Sequence, residues 1–408
     1  SGSAGDDVVD ASTFTTGLSV TASGSDSAAT GVALSTQAGR IARFGAIDSS
    51  GGGNDTVTTG SAVDYFLFRG DNALTQDDQL TGGNQLNAGG AVVGDTLVLE
   101  GDTVLGGGGG GNNGFSGIEF LALESAVGSL NRTQTLGAGF GNQYTLVITN
   151  ANAPSTGPLY INGSNLKGAV AGASGNAAET VFIDVQNVTN FALDITTGNA
   201  GDTINLGGAL ALAARVVTQG GNDFVGEAAG NIADDIIDVG LGNDTVLLQG
   251  GNNTVFAEGG NNNILAGAGN DRIFTGGGSD LVQFTNFGIT SDDILADSGG
   301  VDAVVVNSGT ADAAFAGINA SGLASSQYEV LFLAGSGGTV LRANASQAGF
   351  RTIVGDGGDQ TINLNSTAFA KGMRVDLSAG GDDTVVLGSP TAIAAPALGA
   401  PTPAGLFD

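Results

Sequence analysis

The sequence predicts an all-β solenoid, and three observations support this prediction. Residues 230–283 divide without remainder into six consecutive nonapeptides, GNIADDIID, VGLGNDTVL, LQGGNNTVF, AEGGNNNIL, AGAGNDRIF and TGGGSDLVQ. The eighth place is always β-branched and apolar, which favours a short strand with one inward side chain. The eighth-place residues are Ile237, Val246, Val255, Ile264, Ile273 and Val282. Elsewhere β-branched residues, Gly and Asn dominate, and no convincing amphipathic helix occurs.

The register of the nonapeptides predicts the geometry of the coil. A three-residue strand centred on the eighth place is followed by a six-residue turn of Gly, Asn and Asp, so two nonapeptides complete one coil. Turns on the same side are therefore 18 residues apart. The sixth-place side chains fall on two edges, one with Asp235, Asn253 and Asp271 and the other with Asp244, Asn262 and Asp280.

The turns offer oxygen ligands for a metal ion. Glycine in the fourth place lets the turn carbonyls face inward between successive turns. The fourth place holds Ala233, Gly242, Gly251, Gly260, Gly269 and Gly278. The sixth-place oxygen would complete an all-oxygen cage, which suits Ca²⁺ because this hard cation takes about six to eight oxygen ligands. We therefore expect several Ca²⁺ ions to be bound by the sixth-place side chains and the glycine turns.

These nonapeptides resemble the RTX (repeats-in-toxin) family. The resemblance implies a right-handed parallel β-roll or β-helix solenoid with Ca²⁺ between adjacent turns. The chain departs from the family pattern in the middle of the block. Asn253 and Asn262 stand in the sixth place, where the family has a carboxylate. Gln249 and Glu258 stand in the second place, where the family has glycine. Because a neutral amide lacks the carboxylate charge, we expect the middle sites to bind Ca²⁺ more weakly.

Further copies of the motif occur singly or in pairs outside the block. They place an acid in the sixth place, two residues before an apolar residue, and we expect these acids to bind metal as well. They are Asp55, Asp64, Asp202, Asp223, Asp302 and Asp383.

The repeat pattern divides the chain into five predicted segments. Residues 1–67 form an N-terminal β segment with RTX-like copies, 68–196 an irregular β-solenoid, and 197–283 the RTX β-roll. Residues 284–388 form a second irregular β-solenoid with scattered copies. Residues 389–408 hold four of the six prolines and are expected to be extended or disordered.

The resemblance extends to the irregular segments and to export. Phrases such as SGIEFLALES and VQNVTNFALDI resemble those beside RTX repeats in Gram-negative surface-layer proteins. The RTX family is exported by type I secretion, which reads an uncleaved C-terminal signal. The resemblance thus implies secretion to the cell surface of a Gram-negative bacterium, and residues 389–408 could be that signal or equally a linker or an inter-subunit strap.

The composition limits the class of protein. Acidic residues number 40 against 11 basic ones, and the formal net charge of −29 disfavours nucleic acid or an anionic membrane surface as a partner. No apolar run is long enough for a transmembrane helix, so membrane insertion is not expected. The sequence has no His and no Cys, which removes zinc sites, Ser-His-Asp and Cys-His arrangements and thiol nucleophiles. Without disulfides, bound metal is the expected source of stability.

Three functions remain open on the sequence alone. The favoured one is a secreted structural protein that self-assembles into a surface-layer sheet or an extracellular filament, with Ca²⁺ ordering the roll and bridging subunits. A cell-surface polysaccharide is a further candidate partner. The alternative is a fragment of a secreted RTX adhesin or toxin whose active module lies outside this chain. The third, a lyase or epimerase built on a β-helix, needs an acid–base cluster that we cannot locate in the sequence, so we expect no enzyme.

Overall fold

The chain is all-β wherever its structure is described. The computed structural model describes residues 8–10, 56–58, 65–69, 74, 79–82, 94–106, 114–124, 143–155, 157–168, 178–208, 210–284, 289–290, 292–307, 328–334, 340–341, 350–364 and 373–387. These residues form thirty β-strands and one turn of 3-10 helix, Asn150–Asn152. None of the described residues belongs to a helix with the length and apolar character needed to cross a membrane.

The described strands of the first compact unit, Ser1–Asn231, lie in three parallel sheets. Its strands are β1 (Val8–Asp10), β2 (Thr56–Thr58), β3 (Tyr65–Arg69), β4 (Gln79–Thr81), β5 (Thr96–Glu100), β6 (Thr103–Leu105), β7 (Gly114–Ser116), β8 (Phe120–Leu123), β9 (Gln143–Thr149), β10 (Leu159–Asn162), β11 (Thr180–Gln186), β12 (Leu193–Thr196), β13 (Thr203–Leu206), β14 (Ala214–Val217) and β15 (Phe224–Glu227). The strand orders are β1-β2-β4-β7, β3-β5-β8-β10-β12-β14 and β6-β9-β11-β13-β15.

The second compact unit, Ile232–Asp408, repeats this plan. Its strands are β16 (Ile236–Leu241), β17 (Thr245–Leu247), β18 (Thr254–Gly259), β19 (Asn263–Leu265), β20 (Arg272–Gly278), β21 (Leu281–Phe284), β22 (Ile294–Ala296), β23 (Gly299–Gly300), β24 (Asp302–Asn307), β25 (Tyr328–Ala334), β26 (Val340–Leu341), β27 (Thr352–Val354), β28 (Thr361–Leu364), β29 (Arg374–Asp376) and β30 (Thr384–Leu387). The described strands pair in parallel in three orders, β16-β18-β20-β22, β17-β19-β21-β24-β25-β27-β29 and β26-β28-β30. The short strand β23 also pairs with β20.

Successive strands of the repeat block alternate between two sheets. From β16 to β21, the even-numbered strands lie in one sheet and the odd-numbered strands in the other. Within the first sheet Val255 pairs with Ile237 on one side and Ile273 on the other, so partners are 18 residues apart. Two nonapeptides therefore make one coil, which confirms the parallel solenoid predicted from the register.

The core of the solenoid is a ladder of inward-facing aliphatic side chains. All six eighth-place residues of the repeat block are fully buried, and burying each such side chain contributes about 1.5–3 kcal/mol. The first unit uses the same device with longer turns. There Ile183, Ile204 and Val225 face one another from successive coils, are fully buried, and are 21 residues apart. The described parts of the irregular segments are thus solenoid coils whose turns exceed the nonapeptide length.

The sequence segments and the compact units are different divisions of the chain. The structure divides between Asn231 and Ile232, inside the predicted segment 197–283. The five segments follow the repeat pattern and stay a prediction. Asp55, Asp64 and residues 389–408 lie outside the described residues, although the strands predicted to follow the two acids are present as β2 and β3.

Candidate metal sites

The sixth-place side chains are polar groups inside the solenoid. Asp383 is half-buried, and the other described members of the predicted set are buried. The buried members are Asp202, Asp223, Asp235, Asp244, Asn253, Asn262, Asp271, Asp280 and Asp302. Because a buried polar side chain is costly unless it is hydrogen-bonded or bound to a metal, the partners of these oxygens decide what the turns can do.

One oxygen of each sixth-place side chain holds the preceding coil. In the repeat block it accepts a hydrogen bond from the backbone N–H of the sixth-place residue 18 positions earlier. The pairs are Asp235 N to Asn253 Oδ1 at 2.8 Å, Asp244 N to Asn262 Oδ1 at 3.0 Å, Asn253 N to Asp271 Oδ1 at 2.9 Å and Asn262 N to Asp280 Oδ1 at 2.8 Å. We call this contact the coil staple. It satisfies a backbone donor at the end of each turn that would otherwise be buried without a partner.

The coil staple also occurs where the coils are longer. Asp202 N donates to Asp223 Oδ1 at 2.8 Å across 21 residues, and Gln360 N donates to Asp383 Oδ1 at 2.8 Å across 23 residues. The sequence pattern predicts only metal binding for these acids. The staple is a second role that the pattern did not indicate.

The second carboxylate oxygen is the one available to a cation. Oδ2 of Asp271, Asp280 and Asp302 is buried and has no hydrogen-bond partner among the described residues. Burial raises the pKa of Asp302 to about 7 and that of Asp271 to about 6, from 3.8. A divalent cation would replace the missing hydration and balance the charge, so the donor set fits Ca²⁺.

The asparagines of the middle turns have no second oxygen to offer. Oδ1 of Asn253 accepts the staple from Asp235 N, and its Nδ2 donates to Gly250 O at 3.2 Å. Oδ1 of Asn262 likewise accepts from Asp244 N at 3.0 Å. The weaker calcium binding expected at the middle sites stays a prediction. It now has two physical reasons, since these asparagines lack the charge and their one oxygen already accepts a hydrogen bond.

The fourth-place glycines lie directly against the carbonyl oxygen of the turn below. Gly251, Gly260, Gly269 and Gly278 have φ of 95°, 96°, 130° and 145°. A Cβ on any of them would stand 1.8 Å from the carbonyl oxygen of the fourth-place residue one coil earlier. Gly242 has φ of 147°. Only glycine fits this backbone, and the close approach brings the turn carbonyls between successive coils, where oxygen ligands were expected.

A second ladder runs along the outside of the same turns and was not predicted. The exposed fifth-place side chains accept hydrogen bonds from the backbone N–H of the fifth-place residue 18 positions later, the reverse direction of the coil staple. The pairs are Asn252 N to Asp234 Oδ1 at 2.7 Å, Asn261 N to Asn243 Oδ1 at 2.7 Å, Asn270 N to Asn252 Oδ1 at 2.9 Å and Ser279 N to Asn261 Oδ1 at 2.7 Å. The sequence contains a pattern that could have predicted this ladder, because the fifth place is Asp, Asn or Ser in all six nonapeptides.

Some stapling acids lie outside any recognisable nonapeptide. Asp293 accepts from Asp271 N at 2.7 Å, and Glu329 accepts from Asp302 N at 3.0 Å. Each stands two residues before a buried leucine, Leu295 or Leu331. The pattern that identifies them is an acid two places before an inward-facing aliphatic residue. The nonapeptide pattern did not predict these acids because no glycine turn precedes them.

Together the fold and these turns define a class of protein, a parallel β-solenoid with oxygen-lined calcium turns. Residues 228–246 and 248–282 match the family model of the RTX calcium-binding nonapeptide repeat, in four copies. The predicted RTX resemblance is thereby confirmed, and the repeats bind calcium ions. The match covers the regular block and not the separate copies that hold Asp202, Asp223, Asp302 and Asp383. Comparison with curated proteins and with solved structures gave no significant match.

Proposed function

We propose that this RTX protein is a secreted structural protein that assembles with copies of itself on the surface of a Gram-negative bacterium. The assembly is a sheet or a filament, in which Ca²⁺ orders the solenoid and bridges subunits. RTX repeats are typical of secreted proteins, and they act as calcium-binding structural modules.

The observation that carries the proposal is a group of outward-facing apolar side chains on one sheet of the second unit. Leu241, Ile236 and Phe256 are 62%, 47% and 37% exposed. Phe256 stacks on Phe274 of the next coil with ring centroids 5.1 Å apart. We call Ile236, Leu241, Phe256 and Phe274 the apolar face. Contiguous exposed apolar side chains mark surfaces that contact other proteins. We therefore expect another copy of the protein to cover the apolar face.

The charge of the chain gives calcium a part in the assembly. Two copies with a formal net charge of −29 each repel one another in the absence of cations. Calcium bound in the turns lowers this charge, and calcium on exposed carboxylates could join copies directly. We therefore expect assembly to require Ca²⁺.

A structural role also agrees with how the acids are used. The carboxylates of the described turns staple coils through one oxygen, and we assign the other oxygen to calcium. The sequence has no His or Cys for the commonest acid–base and nucleophilic designs. We accordingly propose a protein without catalytic activity. A cell-surface polysaccharide remains the candidate for an anchoring partner.

Electron microscopy of the purified protein with and without Ca²⁺ tests the proposal. We expect regular arrays or fibres that dissolve in chelator. Replacing Phe256 and Phe274 by Ser should abolish them, whereas Ile232→Ser, at a side chain that is 74% exposed and outside the strands, should not. Dispersed monomers in both conditions would refute self-assembly and favour the alternative, a part of a secreted RTX adhesin or toxin.

A further inference from the structure

Three carboxylates lie close together where the regular roll changes to a longer coil. Asp280 and Asp302 occupy sixth places that are 22 residues apart instead of 18, and Asp297 occupies the first place of the later turn. One carboxylate oxygen of each lies within 4.8 Å of those of the other two. The first places of the six nonapeptides are never acidic, and residues 297–302 lie outside the matched repeats. The repeat pattern therefore does not account for Asp297.

Each of the three side chains is anchored through one oxygen and has the other free. Asp280 Oδ1 accepts from Asn262 N at 2.8 Å, and Asp302 Oδ1 accepts from Asp280 N at 2.7 Å. Asp297 Oδ1 accepts from Thr275 Oγ1 at 3.0 Å. Oδ2 of all three is buried and has no hydrogen-bond partner among the described residues. Asp280 and Asp302 are only 2% and 0% exposed, and Asp297 is half-buried. Three rigidly held carboxylates thus keep one unused oxygen apiece.

Such an arrangement is costly without a cation. Carboxylates at this separation, two of them buried and the third half-buried, repel one another because little water screens them. No Lys or Arg forms an ion pair with any of the three within the described residues. Two oxygens bound to one Ca²⁺ lie at most about 5 Å apart, twice the Ca–O distance of about 2.3–2.6 Å. The spread of the three ligand atoms is compatible with that limit.

We propose that Asp297 joins the sixth-place carboxylates of Asp280 and Asp302 in binding one calcium ion, which makes this turn a three-carboxylate site unlike the turns of the regular block. The middle turns carry an asparagine in the sixth place, whereas this site has three acids. Because affinity for Ca²⁺ rises with the number of charged ligands, the ion here is bound more tightly than those in the middle of the roll. It clamps the 22-residue coil onto the last regular coil. The inference depends on calcium binding and is independent of self-assembly.

A tyrosine beside the site gives it a specific optical signal. The hydroxyl of Tyr328 is hydrogen-bonded to Thr275 Oγ1 at 2.8 Å, and Thr275 Oγ1 in turn bonds Asp297. The chain has four tyrosines and no tryptophan. Tb³⁺, a hard cation that prefers oxygen ligands, emits when a nearby excited tyrosine transfers energy to it. Tb³⁺ bound by the three carboxylates should therefore emit when tyrosine is excited, and Ca²⁺ should displace it.

Titration of the full chain with Tb³⁺ tests the site. We expect Asp297→Asn to weaken the tyrosine-sensitised binding by about tenfold or more, and Asp292→Asn, which removes an exposed acid from the same coil, to leave it unchanged. Tyr328→Phe keeps all three carboxylates and should remove the emission but not the calcium binding measured by calorimetry. Emission that survives in Tyr328→Phe, identical titrations of both Asp variants, or no emission from the unmodified chain would each overturn the proposal. Loss of arrays with intact Tb³⁺ emission would refute only self-assembly.

Discussion

The backbone N–H of Asn253 donates a hydrogen bond to Oδ1 of Asp271, one coil later, at 2.9 Å. Oδ2 of the same carboxylate is buried without a hydrogen-bond partner among the described residues. One side chain therefore holds two coils together and also presents a charged oxygen to a cation. The two roles can be separated experimentally, because asparagine can perform the first but not the second.

We expect Asp271→Asn and Asp271→Ala to behave differently in the absence of calcium. Asparagine keeps the acceptor for Asn253 N and removes a buried charge, so the metal-free variant should be at least as stable as the unmodified protein. Alanine leaves a buried N–H without a partner, which should lower the free energy of unfolding by about 1–3 kcal/mol. Urea unfolding in chelator, followed by circular dichroism, measures the difference. Equal midpoints for the two variants would contradict the coil staple.

Calcium affinity should respond to a new carboxylate in a middle turn. Asn253→Asp supplies the second oxygen and the charge that this turn lacks, so its site should bind Ca²⁺ more tightly in a calorimetric titration. Asn253→Ala should weaken calcium binding less than Asp271→Ala does, because the asparagine has no spare oxygen to lose.

Asn261→Asp is the matched control for the gain. It adds the same charge on the exposed outer ladder and keeps the oxygen that accepts the hydrogen bond from Ser279 N. If it raises calcium affinity as much as Asn253→Asp, the gain comes from net charge and not from a ligand at the sixth place.

The sequence predicted the coil well because a nine-residue period specifies both the inward side chain and the turn. The ladder from Ile237 to Val282 and the 18-residue register follow from it directly. The staple was harder to foresee. Sequence spacing places Asp271 near Asn253, but only the backbone path shows that a sixth-place oxygen faces an N–H of the neighbouring coil. Asp293 and Glu329 were missed for a related reason, since no nonapeptide pattern surrounds them and only tertiary contact identifies them. Asp297 was missed because it occupies the first place of its nonapeptide, where the pattern predicts no ligand.

The fourth-place glycines should not tolerate even alanine. In Gly260→Ala the new Cβ would stand 1.8 Å from Gly242 O on a backbone with φ of 96°, so the coils must separate. We expect a loss of about 3 kcal/mol in the free energy of unfolding. Gly277→Ala is the control, because its Cβ would meet its nearest atom, Gly299 O, only at 3.8 Å. Similar thermal midpoints for the two variants would show that the close approach does not constrain the turn.

Removing calcium should unfold the repeat block. Without a cation the buried carboxylates of the turns repel one another, and calcium binding supplies folding free energy. Circular dichroism in excess chelator should therefore show loss of β signal, with recovery on adding Ca²⁺. Mg²⁺ at the same concentration should restore it poorly, because Mg²⁺ demands about 2.0–2.1 Å octahedral geometry. An unchanged β signal in chelator would refute a structural role for calcium.

The metal-free protein should become less stable as the pH rises from about 4 to about 7. Burial raises the pKa of Asp202 and Asp302 to about 7 and that of Asp223 and Asp271 to about 6, above the 3.8 that applies when the chain is unfolded. The folded state therefore binds more protons than the unfolded state in this window, so the stability from these groups is complete below 3.8 and is lost as the pH passes the raised values.

Thermal unfolding of the chelated protein at pH 5 and pH 8 measures this loss, and the midpoint should be higher at pH 5. Added salt separates the contribution of the four buried aspartates from repulsion between surface charges. Salt screens exposed carboxylates but does not change the burial of the four aspartates. With saturating Ca²⁺ the thermal midpoint should instead be higher at pH 8 than at pH 5, because calcium competes with protons for the same oxygens. A chelated protein that is more stable at pH 8 would show that the buried carboxylates have partners other than calcium.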